Sequence, residues 1–260
     1  LSMTLMLIAH LSDLHLYTER SETGQAPPDI RYIVEQIVSD LLSLEPRPDL
    51  VVISGDLADG GTDDDYQLIR QLLTPLPMPI MAVPGNHDRR EAMRRVLGGW
   101  LVGLQEGKFL HSRVNINGVT LLGLDSVIVG KPQGALCRER LNWLEGELRK
   151  AQPLTFLVMH HPPFMTGNPH WDAYSLIEGR ERFRQIIDAS PKRILCGHIH
   201  QPLHTQWGPH YGAIAGSPAF QYNLVPGSAA TPIEHNVSYC YPLHCCQPDG
   251  SVLVHLRHIT

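Results

Sequence analysis

An α/β fold with a mixed β-sheet that presents ligands beyond the carboxyl ends of its strands is predicted by three features of the sequence. Apolar runs alternate with helical-period segments three times between residues 4 and 97, the βαβ pattern of a parallel sheet. Asn117-Gly118, set between two apolar runs, is a hairpin signal that adds antiparallel pairing. Five short clusters, Asp13-Leu14-His15, Gly55-Asp56, Gly85-Asn86-His87-Asp88, His160-His161 and Gly197-His198-Ile199-His200, each follow an apolar run. That is where a buried parallel strand delivers side chains to a common rim, so the clusters point to a metal site assembled from strand ends.

Composition sets the outer bounds. The 260 residues suffice for one α/β domain over 1–260 with a sizeable core. A formal net charge of -5 and a pI near 6.3 give no basic field for a nucleic-acid backbone or an anionic membrane surface. Neither an extended nucleic acid nor a membrane is therefore an expected partner, and no apolar stretch approaches the roughly 18 residues of a transmembrane helix. Leu1-Ser2-Met3, with no Met at position 1, reads as an expression remnant, and Leu5 to Ala9 reads as a first strand and not a signal peptide. Cys137, Cys196, Cys240, Cys245 and Cys246 show no CxxC spacing. A reduced, cytoplasmic protein is expected, with a bond from Cys240 to Cys245 or Cys246 as the alternative.

Residues 4 to 11 form the first strand and end at Asp13-Leu14-His15, where extended alternation would turn Asp13 and His15 to one side. Tyr17 to Pro28 reads as a rim loop. Asp29 is the expected N-cap of a helix whose apolar face runs from Ile30 to Leu44 until Pro46 stops it. Leu50 to Ile53 is the second strand and breaks at Gly55-Asp56; Asp59 and Asp63 to Asp65 read as a solvated helix N-terminus. A helix over 64–73 and a strand over 80–83 lead to Gly85-Asn86-His87-Asp88, followed by a helix over 89–97.

The hairpin spans 108–116 and 119–124, and a helix over 138–150 follows. Leu154 to Met159 runs into His160-His161-Pro162-Pro163, whose prolines stop the ladder. Residues 164–174 read as a lid or as surface packing, then come a helix over 176–189 and a strand over 193–196 ending at Gly197-His198-Ile199-His200. From 203 to 260, short strands at 205–207, 210–215, 234–241 and 251–258 are expected to complete a second sheet, an appendage or a dimer edge, with a Gly/Pro-rich approach to the site over 216–232. A homo-oligomer stays open on that edge.

Asp13, His15, Asp56, Asn86, His160, His198 and His200 make seven candidate ligands, enough for two metals if Asp56 bridges. Two divalent ions about 3.5–4 Å apart suit phosphate-ester hydrolysis, since they bind phosphoryl oxygens and acidify a water. The mixture of carboxylate, amide and imidazole suits Mn, Fe, Co or Zn. His161 reads as support or packing. His170, His204, His210, His235, His244, His255 and His258 read as structural or surface residues.

The ordered motifs DxH, GD, GNH[DE], H and GHxH, from Asp13 to His200, resemble those of the calcineurin-like metallophosphoesterase family. The resemblance implies a four-layer αββα sandwich with two mixed sheets. It also implies that Asp13, His15, Asp56 and His200 hold one ion, and Asp56, Asn86, His160 and His198 the other. His87 would stand with Asn86 at the substrate phosphate and stabilise the transition state or protonate the leaving oxygen, with Asp88 orienting it. Short loops and the His-His-Pro-Pro context are similar to compact bacterial phosphodiesterases, including class III cyclic-nucleotide and glycerophosphodiester enzymes. A small phosphodiester substrate is implied. Tyr17, Phe164 and Trp171 would stack on a base or anchor their loops. The alternatives are a phosphomonoesterase or nuclease of the same family, or a catalytically silent metal-binding protein.

Overall fold

The computed structural model describes residues 5–235 and 238–259. The chain begins β1 (Met6–Leu11), α1 (Ile30–Ser43), β2 (Leu50–Ile53), α2 (Asp63–Leu73), β3 (Ile80–Ala82) and α3 (Arg90–Leu97). It continues through β4 (Ser112–Ile116), β5 (Val119–Leu124), β6 (Gly134–Ala135), α4 (Arg138–Leu148), β7 (Leu154–Met159), α5 (Pro169–Tyr174), β8 (Leu176–Glu178) and α6 (Arg180–Ile187). The remaining strands are β9 (Arg193–Cys196), β10 (Leu203–Trp207), β11 (His210–Ile214), β12 (Gln221–Tyr222), β13 (Ile233–Glu234), β14 (Cys240–Cys246) and β15 (Val252–His258).

Two sheets, ordered β15-β14-β1-β2-β3 and β10-β11-β9-β7-β5-β4, lie face to face. β1 to β3 are parallel, as are β5, β7, β9 and β11. β14, β15, β10 and β4 join antiparallel, so both sheets are mixed. Met6 and Ile8, Leu50 and Val52, and Met81 meet Phe156, Val158 and Leu195 between the sheets. Alternate residues Ala9, Leu11, Val51 and Ile53 turn outward onto α1, α2 and α3, while Leu157, Met159, Ile194 and Cys196 turn onto α4 and α6. Burial of both faces is why the strands read as continuous apolar runs. The layers are αββα, as the motifs implied.

Local chemistry sets the connections. Thr62 caps α2 in a reciprocal box with Asp65, and Asn117 at φ 49° with Gly118 at φ 80° forms the hairpin turn. Asp29 stands at the N-cap of α1 but makes no side-chain cap bond.

Several sequence expectations change. Residues Leu176–Glu178 are drawn into β8 beside β6, so α6 begins only after Gly179, at φ 81°. The C-terminal strands divide between the sheets: β10 and β11 extend the second, whereas β14 and β15 extend the first, with Met6 opposite Cys246. The strand expected over 234–241 crosses residues 236–237, which lie outside the described residues, as do 1–4. Cys240 and Cys245 sit on one extended strand, about 17 Å apart, too far for the alternative disulfide. All five cysteines are free.

Burial in this frame creates an acid sensitivity. His10, His111 and His244 are buried, and burial pushes His10 down to about 3, His111 to about 4 and His244 well below its ordinary value. An unfolded histidine takes its proton near about 6.5. Stability is therefore full above that pH and falls as pH drops toward the folded values. The expected contribution of His111 at pH 5 is a loss of about 2 kcal/mol. Urea unfolding at pH 7.5 and 5 should show a smaller drop for His111→Gln than for the wild type; identical drops would refute the assignment.

Candidate metal centre

The five clusters converge on the rim, held there by backbone geometry that is costly in isolation. Asp13 (φ 54°), His15 (φ 45°), Asp56 (φ 47°), His198 (φ 73°) and His200 (φ 59°) are all left-handed. Each such residue costs roughly 1–2 kcal/mol. The loops offset that cost by bonding to one another. Asp13 N donates to Gly55 O at 2.9 Å and His15 N to Asp56 O at 3.1 Å, tying the β1 loop to the β2 loop. His198 N donates to the Asp13 carboxylate at 3.0 Å, and Ser217 Oγ to Asp13 O at 2.7 Å. Close approach demands two glycines: a Cβ on Gly85 would strike Asp56 Oδ1, and one on Gly197 would strike Ser12 Oγ and Asp13 Oδ2.

The side chains form two adjoining groups. The ligating atoms of Asp13, His15, Asp56 and His200 lie within 4.8 Å of one another. His200 Nε2 is 3.3 Å from Asp13 Oδ1 and 3.1 Å from His15 Nε2. In the second group His160 Nε2 is 3.1 Å from Asn86 Oδ1, and the His160 and His198 rings are 5.0 Å apart. Asp56 Oδ2 belongs to both, 3.7 Å from His15 Nε2 and 3.2 Å from His160 Nε2.

Tautomers show that this donor set fits a cation. His15 Nδ1 donates to Asp59 Oδ1 at 2.7 Å, His160 Nδ1 to Ser54 O at 2.9 Å, His200 Nδ1 to Phe220 O at 3.0 Å and His198 Nε2 to Tyr174 O at 3.0 Å. Carbonyl and carboxylate oxygens only accept, so each of those nitrogens carries the hydrogen and the other nitrogen of a neutral ring is a lone pair. Lone pairs and carboxylate oxygens then face one another, an arrangement that a divalent metal satisfies. The electrostatics agree. Burial alone would raise Asp13, yet His200 holds it down to about 2. Burial also disfavours charge on His160, but Asp56 and Asp13 lift it to about 9, a measure of how strongly this point favours positive charge.

All seven predicted ligands therefore come together, but two parts of the sequence reading are corrected. Asp88 does not orient His87. Its carboxylate, pushed up to about 6 by burial and by Asp56, accepts from Gly85 N at 2.9 Å, Leu57 N and Ala58 N at 3.2 Å, and Tyr66 Oη at 2.9 Å. It faces inward and knits the β2 and β3 loops together. His87 is positioned instead by its N–H to Asp56 Oδ1 at 2.8 Å and by its Nδ1 on Asp59 O at 3.2 Å. Strand alternation also gives way beyond β1: Asp13 and His15 reach one group through left-handed turns, and the same turns at His198 and His200 carry those two to different groups.

Asp59, read from the sequence as part of a solvated helix N-terminus, is instead drawn into the candidate site. It is fully buried and braces His15, with Ser21 Oγ at 2.7 Å and Thr23 N at 3.0 Å on its other oxygen. Its spacing three residues beyond Asp56 was the available signal, masked by the acidic run that follows. Asp59→Asn is expected to weaken metal binding about 10–100-fold, read by competitive metal titration; unchanged affinity would remove Asp59 from the site. His161 has both nitrogens engaged, by Ser126 Oγ at 2.8 Å and Pro132 O at 3.1 Å, which fits support and not ligation. The 216–232 segment does reach the rim: the Phe220 ring lies 4.3 Å from that of His200. Trp171, on the expected lid, lies 5.3 Å from the His198 ring.

A cleft of about 550 Å³ opens beside Asn86 and His87, with Arg89, Lys108 and Val129 in its wall. This is a size that holds small organic ligands.

The family profile of calcineurin-like phosphoesterases matches residues 6–202. The probable glycerophosphodiester phosphodiesterase GpdQ of Arcobacter nitrofigilis is 32% identical over 224 residues, covering 84% of this chain and 81% of that protein. The 3',5'-cyclic adenosine monophosphate phosphodiesterase CpdA of Pseudomonas aeruginosa is 30% identical over 226 residues, covering 86% and 79%. Among solved structures, a dimetal phosphatase from Danio rerio superposes with a TM-score of 0.65 at 12% identity, over 98% of this chain and 99% of that one; the likeness is one of fold.

Proposed function

Because the chain belongs to the calcineurin-like phosphoesterase family, we propose that it is a metal-dependent hydrolase of small phosphodiesters, of glycerophosphodiester or cyclic-nucleotide type. The observation that carries this reading is the position of Asp56 Oδ2, which faces His15 Nε2 at 3.7 Å and His160 Nε2 at 3.2 Å beside a ligand-sized cleft. Similarity to proteins named for both substrate types supports the diester assignment.

Asp13, His15, Asp56 and His200 would hold one divalent ion, and Asp56, Asn86, His160 and His198 the other. Mn, Fe, Co or Zn matches this mixture of oxygen and imidazole donors. Bound there, the ions supply Lewis-acid polarisation of the phosphoryl oxygens and an activated water as nucleophile. His87 supplies the proton. Its Nδ1 donates to Asp59 O, which leaves Nε2 to exchange the proton delivered to the leaving oxygen. As the water oxygen bonds to phosphorus, having given one proton up to solvent, the P–O ester bond would break and the departing alkoxide would take the His87 proton, which His87 then recovers from solvent. Arg90 is committed to Asp125 through Nε and through Nη2 at 2.7 Å, so it shapes the cleft. Arg89 and Lys108 offset the substrate's charge. A cytoplasmic setting is supported by the free cysteines. Among the described residues, no helix is long and apolar enough to cross a membrane.

Turnover of bis(p-nitrophenyl) phosphate should vanish on chelation and return with Mn or Co. Side by side, cAMP or a glycerophosphodiester should be turned over faster than p-nitrophenyl phosphate. An active chelated enzyme would sink the metal mechanism, and preference for the monoester would sink the diester assignment.

A further inference from the structure

At the opposite pole from the metal centre, the amino ends of β7, β9, β11 and β15 border a second cleft of about 640 Å³. Arg193 and His198 are five residues apart along and just beyond β9, or roughly 17 Å, so the two sites are separate. Two cations stand in the wall of this cleft. Lys192 is only 7% exposed, and among the described residues its ammonium bonds to Ser190, the carbonyl at 3.1 Å and the hydroxyl. Arg193 is partly buried, with its guanidinium 3.9 Å above the Tyr211 ring and its Nε buried without a partner. Among the described residues, neither side chain forms an ion pair. Asp188, the acid just before them, is engaged by His210 at 3.0 Å and Arg184 at 3.8 Å. Burial pushes both cations below their ordinary values.

Buried cations without a counter-charge destabilise a fold, and here one buried and one partly buried cation adjoin the same cleft. The rest of the wall is rigid and largely apolar, with Pro153, Pro191, Pro209 and Tyr211. The guanidinium fork matches two oxygens of a phosphate, and the ammonium adds a point charge. The volume lies within the roughly 300–1,000 Å³ of organic-ligand sites. We propose that this cleft is a second ligand site that binds an organic phosphomonoester, its phosphate held by Arg193 and Lys192 and its body against Tyr211 and the prolines.

The test is calorimetric titration of the metal-loaded enzyme with 5′-AMP. Wild type should bind one more equivalent than Arg193→Gln or Lys192→Gln, while both variants stay folded, by a cooperative melt, and keep wild-type bis(p-nitrophenyl) phosphate turnover. Arg193→Lys, which keeps the charge and loses the fork, should retain the extra equivalent at least tenfold more weakly. Inorganic phosphate should compete for it at least tenfold more weakly than 5′-AMP. Equal stoichiometry in wild type and both Gln variants would overturn the site. Equal affinity for inorganic phosphate would overturn the organic-phosphate assignment.

Discussion

Asp56→Ala is expected to lower kcat/KM for bis(p-nitrophenyl) phosphate by about a thousandfold or more, and to reduce bound metal from two ions to at most one per chain. Among the described residues, Asp56 is the proposed ligand that faces both groups. Its Oδ2 faces His15 and His160, and its Oδ1 accepts from His87 N. A divalent ion supplies several kcal/mol of charge stabilisation to the transition state, and roughly 4 kcal/mol is a thousandfold in rate. Two tightly bound ions, by elemental analysis, together with a near-normal rate would refute the bridging role.

His87→Ala should behave differently. A lost general acid lowers kcat by about 10²–10⁴-fold while both ions remain, because His87 turns its Nδ1 to Asp59 O at 3.2 Å and neither proposed ligand set uses its ring, although it stands beside His15. The size of the loss should depend on the leaving group. An alkoxide, from cAMP or a glycerophosphodiester, needs the proton; p-nitrophenolate leaves without one. The expected loss is therefore larger for the natural type of ester than for the nitrophenyl ester. Equal losses on both would show that His87 stabilises charge and does not transfer a proton. Loss of metal would make it a ligand.

The strands and the residues that gather at the candidate centre were legible because each obeys a local rule. Buried parallel strands write themselves as apolar runs, and a ligand at a strand end must be one of a few residue types. The direction in which each side chain points was not legible. Asp13 and His15 do meet one site, but through two left-handed turns and not through strand alternation. The same turns at His198 and His200 separate the pair. Asp88 carries the residue type of an orienter and turns out to be a brace, because four donors converge on it from beneath the loop. Asp59 was illegible for the opposite reason: an acid among acids, it is set apart only by the tertiary approach of His15. The placement of β14 was equally hidden, since nothing near Cys240–Cys246 states that its partner is β1.

That pairing has a consequence for the order in which the protein is made. Every proposed ligand lies at or before His200, whereas the strand that covers the open flank of β1 begins at Cys240. On the ribosome the complete ligand set thus emerges while β1 still presents an unpaired edge, and roughly 40 more residues must follow, several seconds at about 5–20 residues per second. In that interval the exposed edge is a template for mispairing with another chain. Early metal capture, by locking the loops that follow β1, β2, β3, β7 and β9, would hold the nascent sheet in register until its last neighbour arrives.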